Sequence, residues 1–260
     1  VGDLLDAEFS ADGAWLAISG DDTDVYLWDL KTDLQRNAPT YIMPHDTARV
    51  SSIRFSPDGH WLAAAKQEGV VLLWDLTQES VNTSLILEND NESPVHLEFS
   101  PDGRWLAVGG ALGRINLWDT SQSPPEKAYG LVEHQRGILD LAFSPDNRWL
   151  ASGSTDGLIW DLTSLPPEPV EICSNSADAV RALAFSPDNI WLAMGDDSGA
   201  VLLRHLEGSA VNDPCIELGN HDDPIRDLVF ASNGTWLASG GGSPDVRTGD
   251  DRVIRIWQIE

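Results

Sequence analysis

Positively charged residues are scarce in this 260-residue chain. It contains 16 Lys and Arg against 42 Asp and Glu, which gives a formal net charge of −26. Such a field repels phosphate backbones and anionic lipid headgroups, so we expect neither nucleic acid nor membrane as a partner. No apolar run approaches the roughly 20 residues that a membrane-spanning helix needs.

Cysteine is also scarce, and the common catalytic motifs are absent from the sequence. The two cysteines, Cys173 and Cys215, are too few for a disulfide framework or a zinc site, so free thiols and a reducing, cytoplasmic location are expected. The chain has no GxxxxGK[ST], GxSxG, HExxH or CxxC motif. The sequence therefore predicts no catalytic residue, no metal ligand and no cofactor.

Tryptophan, in contrast, is abundant, with 11 residues against 6 Phe and 3 Tyr. The excess comes from a phrase related to FSPDGRWLA that occurs six times and begins at Phe9, Phe55, Phe99, Phe143, Phe185 and Phe230. Successive copies are 42 to 46 residues apart, the length of one supersecondary unit. A period of this size indicates a repeat architecture whose units bury their faces against each other.

Each repeat has the pattern of short strands. In the second one, VSSIRF, HWLAAA and VVLLWDL are separated by the turns SPDG and Glu68-Gly69, and a fourth run such as TSLILE (83–88) follows. Asp-Gly and Asp-Asn pairs favour tight hairpins because Gly and Asn accept positive φ. No sustained 3.6-residue apolar period is present. The sequence predicts an all-β chain, a β-propeller of four-stranded antiparallel blades.

The repeats resemble the WD-repeat β-propeller family. The residues that carry the resemblance are Trp28-Asp29, Trp74-Asp75, Trp118-Asp119 and Trp160-Asp161, each at the end of a third strand. The resemblance implies one propeller domain over residues 1–260 with six WD-type blades, at approximately 3–43, 48–88, 93–132, 137–173, 179–219 and 224–259. Phrases such as PDGRWLA, with Pro-rich spacers such as SLPPEP (164–169), are most similar to propellers of large bacterial signalling proteins.

The last blade is expected to lack its fourth strand. The phrase VIRIWQIE has the pattern of a third strand, and no further strand follows it. An exposed strand edge is normally covered in native proteins. We therefore expect this chain to be a portion of a longer protein.

The family resemblance also implies a hydrogen-bonded set that pins a blade internally. Its members are a His before the first strand, a Ser or Thr on the second, an Asp in the following turn and the Trp. The fourth repeat has His134, Ser152, Asp156 and Trp160, and the sixth has His221, Ser239, Asp250 or Asp251, and Trp257. The third repeat departs from this set, with Val108 in the Ser position. The role of the set is structural, because a buried Trp N–H needs an acceptor.

The leading functional hypothesis is a non-enzymatic platform that binds other proteins. In such propellers, partners are held around the central opening, near the starts of the innermost strands. The matching positions are Arg49, Ser51, His96, Asp140, Arg181, Arg226 and Asp227. Local charge balance against neighbouring Asp is an equally weighted interpretation of the arginines. The resemblance implies a scaffold or sensor module within a larger multidomain signalling protein. Its partners would be proteins or peptides with basic segments, or other domains of the parent chain.

Two alternatives remain open at this point. Some propellers are enzymes that act on a small molecule through polar channel residues and a divalent cation, and Asp6, His96, Asp140 and Asp227 would be the candidates here. Acidic turns such as Asp21-Asp22 and Asp196-Asp197 are interpreted either as a solvated rim or as a surface for a basic partner or Ca²⁺. The Gly-Ser-Pro loop at 242–249 is either neutral or functional.

Overall fold

The computed structural model describes residues 4–20, 23–31, 38–43, 49–78, 81, 84–90, 92–172, 178–206, 214–242 and 253–259. The chain divides into two compact units, an N-terminal unit Val1–Val132 and a C-terminal unit Glu133–Glu260. The described residues form antiparallel sheets joined by turns, with no helix among them. The predicted all-β class is therefore confirmed.

The N-terminal unit contains three four-stranded sheets, which we call blades 1 to 3. Blade 1 consists of β1 (Leu4–Phe9), β2 (Trp15–Gly20), β3 (Val25–Asp29) and β4 (Tyr41–Met43). Blade 2 consists of β5 (Val50–Phe55), β6 (Trp61–Lys66), β7 (Val70–Asp75) and β8 (Leu85–Glu88). Blade 3 consists of β9 (Pro94–Phe99), β10 (Trp105–Gly110), β11 (Ile115–Asp119) and β12 (Glu126–Leu131).

The C-terminal unit contains blades 4 to 6. Blade 4 consists of β13 (Asp140–Phe143), β14 (Trp149–Gly153), β15 (Gly157–Asp161) and β16 (Glu168–Ile172). Blade 5 consists of β17 (Val180–Phe185), β18 (Trp191–Asp196), β19 (Ala200–His205) and β20 (Ile216–Asn220). Blade 6 consists of β21 (Ile225–Phe230), β22 (Trp236–Gly241) and β23 (Ile254–Gln258). Its sheet has three strands, as the sequence predicts.

The repeated SPDG turn explains why the first two strands of each blade pair so regularly. In blade 2, the Ser56 hydroxyl donates to Asp58 at 2.5 Å and accepts from the Trp61 N–H at 2.8 Å. The turn needs a positive φ, which is 71° at Gly59 and 62° at Asn147, the equivalent residue of blade 4. Gly and Asn tolerate this conformation better than other residues.

The apolar core lies between neighbouring blades. One face of blade 1, with Ala17 and Leu27, packs with Ile53 and Leu62 of blade 2, and all four are fully buried. Equivalent clusters join blades 2 and 3, blades 4 and 5, and blades 5 and 6. Because side chains alternate between the two sides of a strand, each sheet can bury both faces when it has two neighbours.

Cysteine chemistry differs from the sequence expectation. Cys215, immediately before β20, is disulfide-bonded, so the expectation of a free thiol is wrong for this residue. Two cysteines are too few for a framework but sufficient for one bond. Cys173 lies outside the described residues.

Candidate interaction surface

The innermost strands of the blades carry most of the polar residues that the sequence singles out. These strands are β1, β5 and β9 in the N-terminal unit and β13, β17 and β21 in the C-terminal unit. Within each unit, some of these side chains join neighbouring blades and others remain exposed.

An aspartate three residues before the repeat phenylalanine joins each of two blades to the next one. The Asp6 carboxylate accepts the Ile53 N–H at 3.0 Å. The Asp140 carboxylate accepts the Leu183 N–H at 2.8 Å, in the same relative position. In both blades the second carboxylate oxygen accepts the N–H of the following residue at 2.9 Å. We call this arrangement the aspartate bridge.

A charged cluster around Arg54 joins all three blades of the N-terminal unit. Arg54 Nη1 lies 3.2 Å from Asp6 Oδ2 on β1, and Arg54 Nε lies 3.5 Å from Glu98 Oε2 on β9. Glu8 on β1 accepts the Phe55 N–H at 2.8 Å. One guanidinium therefore lies among three carboxylates contributed by its two neighbouring blades.

Burial by itself favours a higher pKa for the acid Glu8 and a lower pKa for the base Arg54. Burial raises the pKa of Glu8 above its usual value, although the Phe55 N–H and the Arg54 charge partly offset it. Burial would lower the pKa of Arg54, but the carboxylates of Glu98, Asp6 and Glu8 outweigh it and raise that pKa. The surrounding carboxylates therefore stabilise the protonated form of Arg54.

A pocket of about 280 Å³ opens beside the Arg54 cluster, at the C-terminal ends of the innermost strands. Glu8, Arg54 and Glu98 provide its charged wall, and the repeat phenylalanines Phe9, Phe55 and Phe99 are also among its lining residues. Phe9 is 61% exposed. The charged wall of the pocket carries two carboxylates and one guanidinium, a balance that favours a cationic group over an anionic one.

His96 is uncharged at neutral pH. Burial, followed by the nearby Arg54 charge, lowers the pKa of His96 to about 4, and the opposing Asp6 charge does not restore it. His96 occupies on β9 the position that Asp6 occupies on β1. A neutral imidazole can contribute hydrogen bonds to a partner but no positive charge.

The other predicted partner-binding residues of the N-terminal unit lie near the start of β5. Arg49 is exposed. Ser51 is half-buried, and its hydroxyl donates to the Pro94 carbonyl at 3.1 Å, which joins blade 2 to blade 3. Of these two, Arg49 is the one that a partner can reach directly.

In the C-terminal unit the predicted residues differ in how far they are occupied. Arg181 on β17 forms an ion pair with Asp197. Arg226 on β21 is exposed and donates to the Gly242 carbonyl at 2.9 Å. Asp227 is exposed, and its carboxylate has no hydrogen-bond partner among the described residues. Asp140 forms the aspartate bridge described above.

Blade 4 brings together all four residues of its predicted pinning set. His134 Nδ1 lies 2.5 Å from Asp156, and His134 Nε2 lies 2.7 Å from the Ser152 hydroxyl. The Trp160 indole N–H donates to the same hydroxyl at 2.9 Å. If Nδ1–H donates to the Asp156 carboxylate, Nε2 accepts the Ser152 O–H, and every polar group of the set is satisfied.

The corresponding set is shorter in blade 6 and interrupted in blade 3. Ser239 contacts His221 Nε2 and accepts the Trp257 N–H, both at 2.8 Å. Asp250 and Asp251, the candidate acidic members, lie outside the described residues. In blade 3, with Val108 in the Ser position, the buried Trp118 N–H has no acceptor among the described residues.

The acidic turns have local structural roles where they are described. One Asp196 oxygen accepts the N–H groups of Ser198 and Ala200, both at 3.0 Å. Asp21 and Asp22, and residues 243–249 of the loop, lie outside the described residues. In the described part of the chain, no group of three or more His, Cys, Asp or Glu could hold a metal ion. No helix there is long and apolar enough to cross a membrane.

Sequence reasoning missed the Arg54 cluster. Glu8, Arg54 and Glu98 each precede the repeat phenylalanine by one residue, so aligning the repeats by that phenylalanine would have placed acidic, basic and acidic side chains side by side. A comparison restricted to the starts of the innermost strands did not include them.

The family model described as WD domain, G-beta repeat matches residues 2–29, 37–75, 83–119, 126–161, 167–203 and 212–258. No curated protein sequence matches the chain. A chain from a structure titled "Crystal Structure of Mitotic Checkpoint Complex" is similar, with a TM-score of 0.73 and 20% identity, over 100% of this chain and 74% of that one. At that identity the likeness concerns the fold, and the expected β-propeller of six WD-type repeats is confirmed.

Proposed function

Because the chain belongs to the WD40 family of WD-domain, G-beta repeat proteins, we propose that it is a non-enzymatic scaffold or sensor module that binds other proteins. Members of this family typically act as rigid interaction platforms. The observation that carries the proposal is a set of exposed charged side chains at the starts of the innermost strands β5 and β21, namely Arg49, Arg226 and Asp227. On other innermost strands, Asp6 and Asp140 are instead occupied in joining blades.

The division between occupied and exposed side chains supports a binding role over chemistry. Asp140, a candidate for the enzyme alternative, uses both carboxylate oxygens in backbone hydrogen bonds. His96 and Asp6 lie near the Arg54 charge. No observation in the described part of the chain favours the enzyme alternative.

Partners with basic segments fit the charge of the chain. The net charge of −26 favours the approach of a cationic peptide over an anionic one. The pocket beside Arg54 offers the Glu8 and Glu98 carboxylates. Lys and Arg side chains can form charge-assisted hydrogen bonds with such carboxylates.

We further propose that the chain is one part of a larger bacterial signalling protein, where its partners include other domains of that protein. The support is the similarity of its repeat phrases and Pro-rich spacers to propellers of that kind.

The test is an affinity capture from the source cell with two charge-matched variants. One carries Arg49→Ala, Arg181→Ala and Arg226→Ala at the starts of innermost strands. The control carries Lys31→Ala, Lys127→Ala and Arg114→Ala, which also removes three positive charges but outside the innermost strands. A protein that is lost from the first variant and retained by the control supports the proposal. Identical captures with both variants exclude the arginines as the anchor.

A further inference from the structure

The pocket beside Arg54 lies away from the strand starts that are proposed to meet a partner. All of its lining residues belong to the N-terminal unit, and they lie at or just after the ends of β1, β5 and β9. Arg49 precedes the first residue of β5, whereas Arg54 is the residue before its last. At roughly 3.3 Å per residue, about 16 Å of strand separates Arg49 from Arg54. A group bound in the pocket therefore contacts a different part of the unit from a partner held at Arg49.

The charges beside this pocket are unbalanced. Asp6, Glu8 and Glu98 supply three carboxylates against the single guanidinium of Arg54, a net charge of −2 when all four groups are ionised. The neighbouring base His96 adds no positive charge at neutral pH, because burial lowers its pKa to about 4. The cluster therefore attracts a further cation and repels an anion.

Glu8 is the carboxylate of the cluster with the most acceptor capacity to spare. Asp6 and Glu98 each form an ion pair with Arg54. Glu8 accepts the Phe55 N–H at 2.8 Å, and it is in no ion pair within the part of the chain that the structure describes. An ionised carboxylate offers about four lone-pair sites. A cationic donor can therefore bind Glu8 without displacing the hydrogen bond that joins blades 1 and 2.

The size and lining of the pocket fit one long side chain. Its volume of about 280 Å³ lies just below the range of roughly 300–1,000 Å³ that is typical of small-molecule sites. Ala11 and Pro57, in the turns after β1 and β5, are also among its lining residues. Apolar groups of this kind can cover the methylene stem of a Lys or Arg side chain while its charged end pairs with carboxylates.

We propose that this pocket binds one Lys or Arg side chain of a protein partner, whose cationic end pairs with Glu8 and Glu98 beside Arg54. The inference rests on the proposed function, because it identifies the group of a partner protein that the scaffold holds. It also gives the partner a second point of attachment, at the opposite ends of the innermost strands from Arg49. The bound cation offsets part of the negative charge that the cluster carries.

Proton uptake by Glu8 competes with this cation. Burial raises the pKa of Glu8, and the charge of Asp6 on the same strand adds to the rise, whereas a backbone hydrogen bond and the Arg54 charge oppose it. Glu98 and His96, on β9, lie near Arg54. Because a cation pairs with the ionised form of Glu8, the affinity is expected to be highest at neutral pH and to fall in mild acid. Glu8→Gln should remove this part of the pH dependence.

The experiment is an NMR titration of the 260-residue chain that follows backbone and Arg Nε signals. The probes are three blocked pentapeptides with Arg, Lys or Gln between glycines, and agmatine as a free organic cation. The variants are Glu8→Gln, which removes the charge, and Ala11→Trp, which adds bulk in an exposed turn and keeps every charge. The matched control is Glu126→Gln, since Glu126 is an exposed residue of β12 outside the pocket. The Tm of each chain is measured as a check on folding.

The proposal predicts that the Arg or the Lys peptide binds and that the Gln peptide does not. Glu8→Gln should weaken the binding by about 10-fold or more, because it removes a charge-assisted hydrogen bond. Glu126→Gln should change it by less than about twofold, because a distant exposed charge is screened by salt. Ala11→Trp should abolish the binding, and it decides the question if Glu8→Gln lowers the Tm.

Four results overturn the proposal. They are no binding of either cationic peptide, equal binding of the Gln peptide, equal losses from Glu8→Gln and Glu126→Gln, and binding of agmatine alone, which would make the ligand a free amine. The affinity capture separates this inference from the proposed function. A protein that both pocket variants retain, but that is lost with the arginine variant, leaves the proposed function standing and overturns the pocket as its anchor. Pocket-dependent peptide binding with no protein captured would count against the proposed function instead.

Discussion

The hydrogen-bonded set of blade 4 allows a quantitative test of how a WD-type blade is stabilised. Ser152 is fully buried, and its hydroxyl contacts both the Trp160 N–H and His134 Nε2. Ser152→Ala leaves two buried polar groups without partners, so we expect a loss of about 2–4 kcal/mol in the free energy of unfolding. Trp160→Phe removes one donor and some apolar volume, and we expect a loss of about 2–3 kcal/mol.

The two changes should not be additive. When both are made, the indole N–H that Ser152→Ala would have stranded no longer exists. The double variant is therefore expected to lose about 1–2 kcal/mol less than the sum of the single variants. Urea unfolding followed by far-ultraviolet circular dichroism measures all four chains. Trp118→Phe is the contrast. In the part of the chain that the structure describes, the Trp118 N–H has no acceptor, so removing it should cost less than removing the Trp160 N–H. A coupling energy of zero, or equal losses for Trp118→Phe and Trp160→Phe, would refute the reasoning.

Three further predictions concern the charged residues. The His96 ring should titrate near pH 4 in an NMR titration. Because the pKa of His96 is lower in the folded than in the unfolded chain, the free energy of unfolding should be highest above a pH of about 6.5 and should fall as the pH approaches 4. His96→Gln should remove this part of the pH dependence. Burial would raise the pKa of Asp75, but hydrogen bonds from Thr77 and Gln78 lower it to about 2. The ionised Asp75 carboxylate therefore stabilises the folded chain above a pH of about 4, and this contribution to the free energy of unfolding declines toward pH 2. Thr77→Ala should reduce the decline, as measured by acid unfolding curves. Arg54→Leu should lower the free energy of unfolding by about 1–3 kcal/mol at pH 7. The loss should be smaller in mild acid, because burial raises the pKa of Glu8 and its carboxylate is then the first to take up a proton. An equal loss at both pH values would contradict the electrostatic role of Arg54.

Much of the fold could be predicted from the sequence because its signals are local and repeated. Turn residues such as Gly59 and Asn147 accept positive φ wherever they occur, and six copies of the same phrase leave little ambiguity about strand order. The four members of the blade 4 set, from His134 to Trp160, were implied by the resemblance to the WD-repeat family, whose set was carried over onto the matching positions. The three-stranded last sheet followed from the same period.

Contacts between blades were decided only in three dimensions. The sequence treats Asp140 and Asp227 as equivalent, because both precede a repeat phenylalanine by three residues. The structure distinguishes them, since Asp140 accepts a backbone N–H of the next blade and Asp227 does not. The Arg54 cluster likewise depends on side chains from three repeats that are far apart in the chain. A repeat pattern determines what each blade can bury, but the neighbouring blade decides whether it is buried, because burial and ion pairing depend on which surfaces exclude water from each other.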